Sequence, residues 1–314
     1  MTQAAGPPLF IVGCGRSGTT LLRLMVDAGP DIAIPGESHF IPQLFAEFGG
    51  RGDPDAVASA LMATPHFLHW KIEEGAVWER VRAVDRPAFA DVIEAAYLAN
   101  AHEHGKKRWG DKTPIHVRSI PLLAGLWPDA RFLHLIRDGR DVALSYLSLD
   151  WGPSTIWEAA RKWHGDVSAG VRGGRPLGAS RYLEVRYEAL VEDPEGELRR
   201  ICDFADLSFA PEMLDASTRE GHETLAPDEG RPFHARSERA VETGARDWRT
   251  QMSDYDARAF EAIAGELLAE LGYERRYPST ALVDRVHAAV RVGALDVRTL
   301  GSRAKRVVAR RIGR

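Results

Sequence analysis

The chain has 314 residues, of which 44% are hydrophobic, so it is long enough to form one large domain with a sizeable core. Its 41 basic and 45 acidic residues give a formal net charge of −4, which argues against nucleic acid as the main partner. The two cysteines, Cys14 and Cys202, are far apart and exclude both a disulfide framework and a cysteine-based metal site.

The sequence also predicts where the protein works. It contains no run of roughly eighteen apolar residues, so we expect no transmembrane helix. Residues 1–10 lack the basic and apolar regions of a secretory signal. Together with a content of only two, widely separated cysteines, these features predict an intracellular, cytoplasmic protein.

The N-terminal part predicts a strand, a glycine loop and a helix in succession. Residues 9–12 are a short apolar run, typical of a buried parallel strand. Residues 19–28 carry apolar side chains at helical spacing, and Gly29 with Pro30 stops that helix.

The intervening loop, Gly13–Thr20, has the spacing of a P-loop, with four residues between its outer glycines. Such a loop turns backbone N–H groups inward, and the positive end of the following helix adds to the attraction for phosphate or sulfate. A nucleotide triphosphatase needs lysine where this chain has Thr19, whereas the cation here, Arg16, lies inside the loop. An arginine there favours one compact anionic group over a triphosphate with magnesium.

Farther along, strands alternate with helices, which predicts an α/β fold: a P-loop-like parallel sheet flanked by helices. The segment from about 40 to 105 carries helical patterns and no strand signal, and predicts a helical cap insertion. We expect one domain over residues 1–280 and a separate basic segment over 281–314. The predicted strands are 108–114 (strand or turn), 131–136 and 181–185, and the predicted helices include 138–149, 154–171, 194–205 and 254–271.

A second group of polar residues follows the predicted strand 131–136. Arg137 stands at its carboxyl end, where ligands bind in open α/β sheets, and Ser145 lies eight positions on. An arginine and a hydroxyl could bind a second phosphate. The alternative is a helix capped by Asp138 with solvated arginines.

The C-terminal segment is strongly basic. Residues 285–314 include nine basic and one acidic side chain, interleaved with apolar residues. This pattern predicts either an amphipathic helix that binds an anionic surface or partner, or a solvated tail.

Taken together, these motifs resemble the family of sulfotransferases that use 3′-phosphoadenosine-5′-phosphosulfate (PAPS), over roughly residues 8–275. The family holds the 5′-phosphosulfate with a P-[KR]-[ST]-G-T-T loop, which residues 15–20 match with Gly15 in place of proline. It binds the 3′-phosphate with an arginine and a serine at the spacing of Arg137 and Ser145. Two further stretches, 185–194 and 244–249, also match. The resemblance therefore implies a donor site built from Arg16, Ser17, Gly18, Thr19, Thr20, Arg137, Ser145, Tyr187 and Arg246.

The branch that contains tyrosylprotein sulfotransferases is the most similar. There a glutamate about twenty residues after the loop is the catalytic base, and a lysine contacts the leaving group. Glu37 and Lys112 occupy those positions, so with Arg16 they are the implied catalytic residues. His39, two residues past Glu37, is an alternative base. The branch's third nucleotide arginine is absent, because Leu149 stands in its place.

The resemblance implies transfer of a sulfuryl group from PAPS to a hydroxyl acceptor, leaving 3′,5′-ADP (PAP). The acceptor would be a sugar, glycan, phenol, peptide or secondary metabolite, and no metal is expected. A P-loop kinase or nucleotide hydrolase is one alternative, with Asp138 placed after an apolar strand as a magnesium ligand would be. The other is a non-catalytic adaptor that binds anions on the same fold.

Overall fold

The computed structural model describes residues 6–215 and 247–278, and these fall into two compact units. Among the described residues, the first unit comprises 6–136 and 169–215, and the second comprises 137–168 and 247–278. Arg246 and the basic segment 281–314 lie outside the described residues. In the described ranges, no helix combines the length and apolarity needed to cross a bilayer.

The first unit contains a five-stranded, fully parallel sheet with the strand order β2-β3-β1-β4-β5. The central strand β1 pairs with two neighbours, so that Leu9 lies opposite both Gly110 and Arg131. The predicted parallel α/β sheet is thus confirmed. The strands are β1 (Leu9–Gly13), β2 (Ile32–Ala33), β3 (Arg108–Lys112), β4 (Arg131–Ile136) and β5 (Tyr182–Arg186).

Helices follow the strands as the alternating pattern predicted. The segment 40–105 is helical, and its helices connect β2 to β3. The first seven helices are α1 (Thr19–Asp27), α2 (Phe40–Phe48), α3 (Pro54–Met62), α4 (Pro65–His69), α5 (Glu74–Arg82), α6 (Phe89–Glu103) and α7 (Ile120–Leu126). The next are α8 (Gly139–Leu147), α9 (Ile156–Gly174), α10 (Tyr187–Glu192), α11 (Pro194–Ala205), α12 (Trp248–Gln251) and α13 (Asp254–Glu270).

Side chains of the sheet alternate between two hydrophobic clusters, because successive residues of a strand point to opposite faces. Phe10 and Val12 of β1 join the cluster shared with α2–α6, whereas Leu9 and Ile11 join the cluster shared with α1, α10 and α11. Tyr97 of α6 stacks on Trp109 of β3 with ring centroids 4.4 Å apart. The helices of the predicted cap insertion therefore pack directly against one face of the sheet.

The second unit is organised around one buried arginine. Arg140 at the start of α8 has no exposed surface, and it pairs with Asp138 at 2.7 Å and with Glu261 of α13 at 2.8 Å. Its guanidinium also lies 3.5 Å from the ring centroid of Trp248. A buried charge needs such partners, since its desolvation is otherwise very costly.

Candidate active site

The loop between β1 and α1 requires glycine at its last position. Gly18 has a φ angle of +95°, in the left-handed region that favours glycine. A Cβ atom there would also come within 2.5 Å of the Tyr187 ring, which lies against the loop. Tyr187, predicted to line the donor site, is therefore brought to the loop by α10.

This loop presents an uncapped helix end next to a buried hydroxyl. No side chain caps the start of α1, and its first turn contains no acidic residue. The first backbone N–H groups of a helix have no partner inside the helix, so those of Thr19 and Thr20 are available to an anion. The Ser17 hydroxyl is fully buried, and within residues 6–215 and 247–278 it has no hydrogen-bond partner. A bound phosphate or sulfate oxygen would satisfy these groups.

Lys112 connects this loop to the predicted base. It is the last residue of β3, and its side chain is 6% exposed. Its Nζ atom donates to Thr20 Oγ1 at 3.3 Å and to Glu37 Oε1 at 2.5 Å. Two of the three predicted catalytic residues are therefore in direct contact, beside the first turn of α1.

Glu37 is held in its ionised form. Burial alone would raise the pKa of Glu37, but the Lys112 ammonium and hydrogen bonds from His39 and Lys112 outweigh it, so this pKa lies well below its usual range. Its second oxygen, Oε2, is 2.8 Å from His39 Nε2. Both carboxylate oxygens thus have a cationic or titratable partner.

Hydrogen bonds from two side chains to backbone carbonyls fix the segment that carries Glu37. The guanidinium of Arg23 donates to the carbonyl of Ile34 at 3.0 Å, and the indole N–H of Trp70 donates to the carbonyl of Gly36 at 3.0 Å. Arg23 comes from α1, whereas Trp70 directly follows α4. Glu37 is therefore positioned by both the donor loop's helix and the helical insertion.

A buried polar network holds the other side of this segment. The Ser38 backbone N–H donates to Thr113 Oγ1 at 2.9 Å, and Thr113 donates to Asp111 Oδ2 at 3.1 Å. Asp111 also accepts from Tyr97 at 2.7 Å and pairs with His116 at 2.9 Å. Burial alone would raise the pKa of Asp111, but His116 and these hydrogen bonds outweigh it and lower that pKa.

The second unit carries the other predicted donor contacts. Arg137 directly follows β4 in the chain, and its carbonyl accepts a hydrogen bond from Trp163 at 3.1 Å. Arg137 and Ser145 are both buried, with 9% and 6% of their surface exposed. Arg246, the last predicted contact, lies outside the described residues.

Comparison with known proteins decides the family. A family model described as the sulfotransferase family matches residues 7–211, which is more than half of the chain. The chain belongs to the sulfotransferase family. Membership in this family makes it a sulfotransferase, an enzyme that transfers sulfuryl groups, and favours neither the kinase nor the adaptor.

Individual relatives agree with this assignment. The sulfotransferase is 29% identical to nodulation protein NoeE of Sinorhizobium fredii and 27% identical to mouse protein-tyrosine sulfotransferase 1, each match covering 85% of this chain. Those matches cover 66% and 70% of the two relatives. The chain spans 89%, 52% and 40% of the first three curated relatives it matches.

A solved structure shows the same fold. The sulfotransferase domain of the Synechococcus olefin synthase superposes with a TM-score of 0.61 at 24% identity. The alignment covers 87% of this chain and 99% of that domain. The predicted fold class is confirmed by this likeness.

The kinase alternative also conflicts with the surroundings of Asp138. That residue caps α8 by accepting from the Arg140 backbone N–H at 2.9 Å, and both its oxygens bond the Arg140 side chain. A carboxylate engaged in this way is a poor candidate for a magnesium ligand. In the described ranges, no group of three or more histidine, cysteine, aspartate or glutamate side chains could hold a metal.

Sequence reasoning missed the residues that position Glu37. Around Lys112, the predicted catalytic lysine, lies a network of Asp111, Thr113 and Tyr97. This network was not predicted from the sequence. One signal was available, because a carboxylate inside a buried strand needs hydrogen-bond partners. Its partners could not be named from the sequence, since Ser38 and Thr113 are 75 positions apart.

Proposed function

We propose that this sulfotransferase uses PAPS as donor and that Glu37 is the base that activates the acceptor hydroxyl. The observation that carries this proposal is the position of Lys112, bonded to Thr20 in the donor loop and to Glu37 at the same time. A cation shared in this way can serve the leaving group while its partner carboxylate serves the nucleophile.

The donor loop supplies the binding groups for the 5′ end. Backbone N–H groups from Gly18 to Thr20, at the start of α1, and the Ser17 hydroxyl would hold the phosphosulfate oxygens. Arg16, within the same loop, would stabilise the charge that builds up as the phosphate leaves. Arg137, Ser145 and Tyr187 stay predicted contacts for the rest of the nucleotide.

The base has the protonation state that its role requires. Because the pKa of Glu37 is lowered, the carboxylate is ionised at neutral pH, but it is a weak proton acceptor as long as Lys112 is bonded to it. Engagement of Lys112 by the donor would weaken its hold on Glu37 and make the carboxylate more basic. His39, the alternative base, bonds Glu37 Oε2 and so belongs to the same catalytic group.

The names of the relatives support one acceptor class. Several of them are named protein-tyrosine sulfotransferases, which favours a phenolic hydroxyl such as a tyrosine side chain. An unperturbed tyrosine has a pKa of about 10, so its attack on sulfur near neutral pH needs a general base. We therefore propose a peptide tyrosine or another phenol as acceptor.

The test combines binding and turnover in the whole protein. Calorimetry should detect PAP without magnesium, and sulfur-labelled PAPS should label tyrosine-containing peptides or simple phenols. Lys112→Ala should lower kcat by about 10²-fold or more, because it removes the ammonium group that would stabilise negative charge on the leaving phosphate in the transition state. Lys107→Ala is the matched control, since this lysine is exposed and precedes the same strand.

The opposite results would be equally clear. If the protein bound ATP only with magnesium and did not bind PAP, the donor assignment would be wrong. Equal turnover by the Lys112 and Lys107 variants would remove Lys112 from the reaction.

A further inference from the structure

The base is joined to a pair of stacked histidines. His39 Nε2 lies 2.8 Å from Glu37 Oε2, and the rings of His39 and His66 have centroids 4.7 Å apart with planes inclined by 33°. The side chain of His39 is 31% exposed. His39 therefore connects the proposed base to the protein surface, and His66 stacks against it.

His39 adopts a costly backbone conformation to make this contact. Its φ angle is +51°, and it stands at the N-cap of α2 without capping that helix by its side chain. A non-glycine residue with a positive φ angle is uncommon, and such strained residues cluster at functional sites. Here the ring contacts Glu37 instead of the helix end.

His66 has the properties of a neutral ring. Its Nδ1 atom is buried and, within the described ranges, has no hydrogen-bond partner, so a proton there would be an unsatisfied donor. Burial, followed by nearby His39, lowers the pKa of His66, with His69 adding to this and Glu37 opposing it. A neutral aromatic ring can stack against a protonated neighbour without charge repulsion.

We propose that His39 takes from Glu37 the proton released by the acceptor hydroxyl and passes it to solvent, while His66 positions the His39 ring. This inference rests on the proposed function, in which Glu37 is the base. His39 acts at the proton itself, and His66 is a positioning residue.

Sulfuryl transfer exchanges one oxygen–sulfur bond for another and releases one proton. The acceptor oxygen forms its bond to sulfur while the bond between sulfur and the phosphate oxygen breaks, and that electron pair stays on the phosphate. The acceptor's proton moves to Glu37, whose carboxyl form is disfavoured beside Lys112. In the resting protein His39 Nε2–H donates to the ionised Glu37, so the neutral ring must first move that proton to Nδ1 by exchange with water. Glu37 then gives its proton to His39 Nε2, which restores the carboxylate and leaves an imidazolium that loses its Nδ1 proton to water.

The test measures turnover of PAPS by the full chain with N-acetyltyrosinamide, and in parallel with water as the only acceptor. His39→Ala should lower kcat by about ten- to a hundredfold, within the range of proton-transfer contributions, with little change in KM for PAPS. Added imidazole should restore much of this loss, since it can take the proton in the vacated space. His39→Gln retains a hydrogen-bond donor for Glu37 but cannot accept a proton, so it should stay slow.

The second histidine is tested with a ring that cannot titrate. His66→Phe keeps the stack and should remain close to the unaltered protein, whereas His66→Ala should lower kcat by less than His39→Ala does. His102→Ala is the control for loss of a histidine, because His102 is exposed on α6.

The outcomes separate this inference from the proposed function. If Glu37→Gln is slow but His39→Gln turns over normally, Glu37 remains the base and the proton transfer to His39 is wrong. A failure of imidazole to speed His39→Ala would also overturn it. Normal turnover by Glu37→Gln would overturn both proposals. If His39→Ala does not fold, His39→Gln gives the result.

Discussion

Two buried ion pairs, one in each unit of this sulfotransferase, differ in how completely their hydrogen-bonding capacity is used. Glu261 is fully buried and accepts from Arg140 and from the backbone N–H groups of Arg276 and Tyr277. Arg140 in turn donates to Asp138 and to the Glu274 carbonyl. This pair is enclosed by partners that belong to the fold.

The pair formed by Glu37 and Lys112 is shorter, at 2.5 Å, but more open. The side chain of Glu37 is 17% exposed, and Lys112 divides its donors between Glu37 and the hydroxyl of Thr20 in the donor loop. A pair with such spare capacity can exchange partners when a charged substrate arrives. Unused hydrogen-bonding capacity therefore distinguishes the Glu37–Lys112 pair, which we propose to be reactive, from the saturated Arg140–Glu261 pair.

The same substitution in both pairs tests this difference most strongly. Glu37→Gln should lower kcat by about 10²–10⁴-fold, because it removes the proton acceptor while keeping the shape of the side chain. Its free energy of unfolding should fall by less than that of the structural variant below, because the side chain of Glu37 is partly exposed. Turnover and chemical denaturation of one preparation measure both quantities, and near-normal turnover would contradict the assignment.

Glu261→Gln should show the reverse behaviour. Removing one partner of a buried pair costs about 3–5 kcal/mol, since the buried Arg140 charge would keep Asp138 as a partner but lose the Glu261 carboxylate. Denaturant midpoints measure this loss. A variant as stable as the unaltered chain would mean that the network around Arg140 is not structural.

The sequence predicted the donor loop far better than it predicted either ion pair. The strand, loop and helix around Gly18 are local, so the glycine spacing and the apolar runs were sufficient to predict them. Glu37 and Lys112 were named only through the resemblance, and their contact joins residues 75 positions apart. The Arg140–Glu261 pair spans 121 positions, and in sequence Arg140 is indistinguishable from a solvated arginine. Long-range partners of this kind are set by the packed fold.

A third experiment asks how tightly the donor loop is built. Gly18→Ala should destabilise the protein by about 2–3 kcal/mol, from the positive φ angle together with overlap between the new methyl group and Tyr187. Gly105→Ala is the matched control, because Gly105 also has a positive φ, +69°, but a Cβ there would meet nothing within 4 Å. PAP affinity should fall only in the first variant. Equal losses of stability in both would show that Tyr187 does not constrain the loop.

The smallest expected effect concerns acid stability. Glu37 has a folded-state pKa below its unfolded value, so its ion pair contributes fully above the unfolded pKa of about 4, and that contribution is lost as the pH falls toward the folded value. Between pH 5 and 3 the unaltered chain should therefore lose about 1–2 kcal/mol more than Glu37→Gln does. Denaturation at a series of pH values measures this difference. Asp111, whose pKa is also lowered, is present in both chains, so its contribution cancels. If the free energy of unfolding fell equally in both chains between pH 5 and 3, Lys112 would not stabilise the Glu37 carboxylate in the folded protein. The proposed exchange of Lys112 between Glu37 and the donor would then also be wrong.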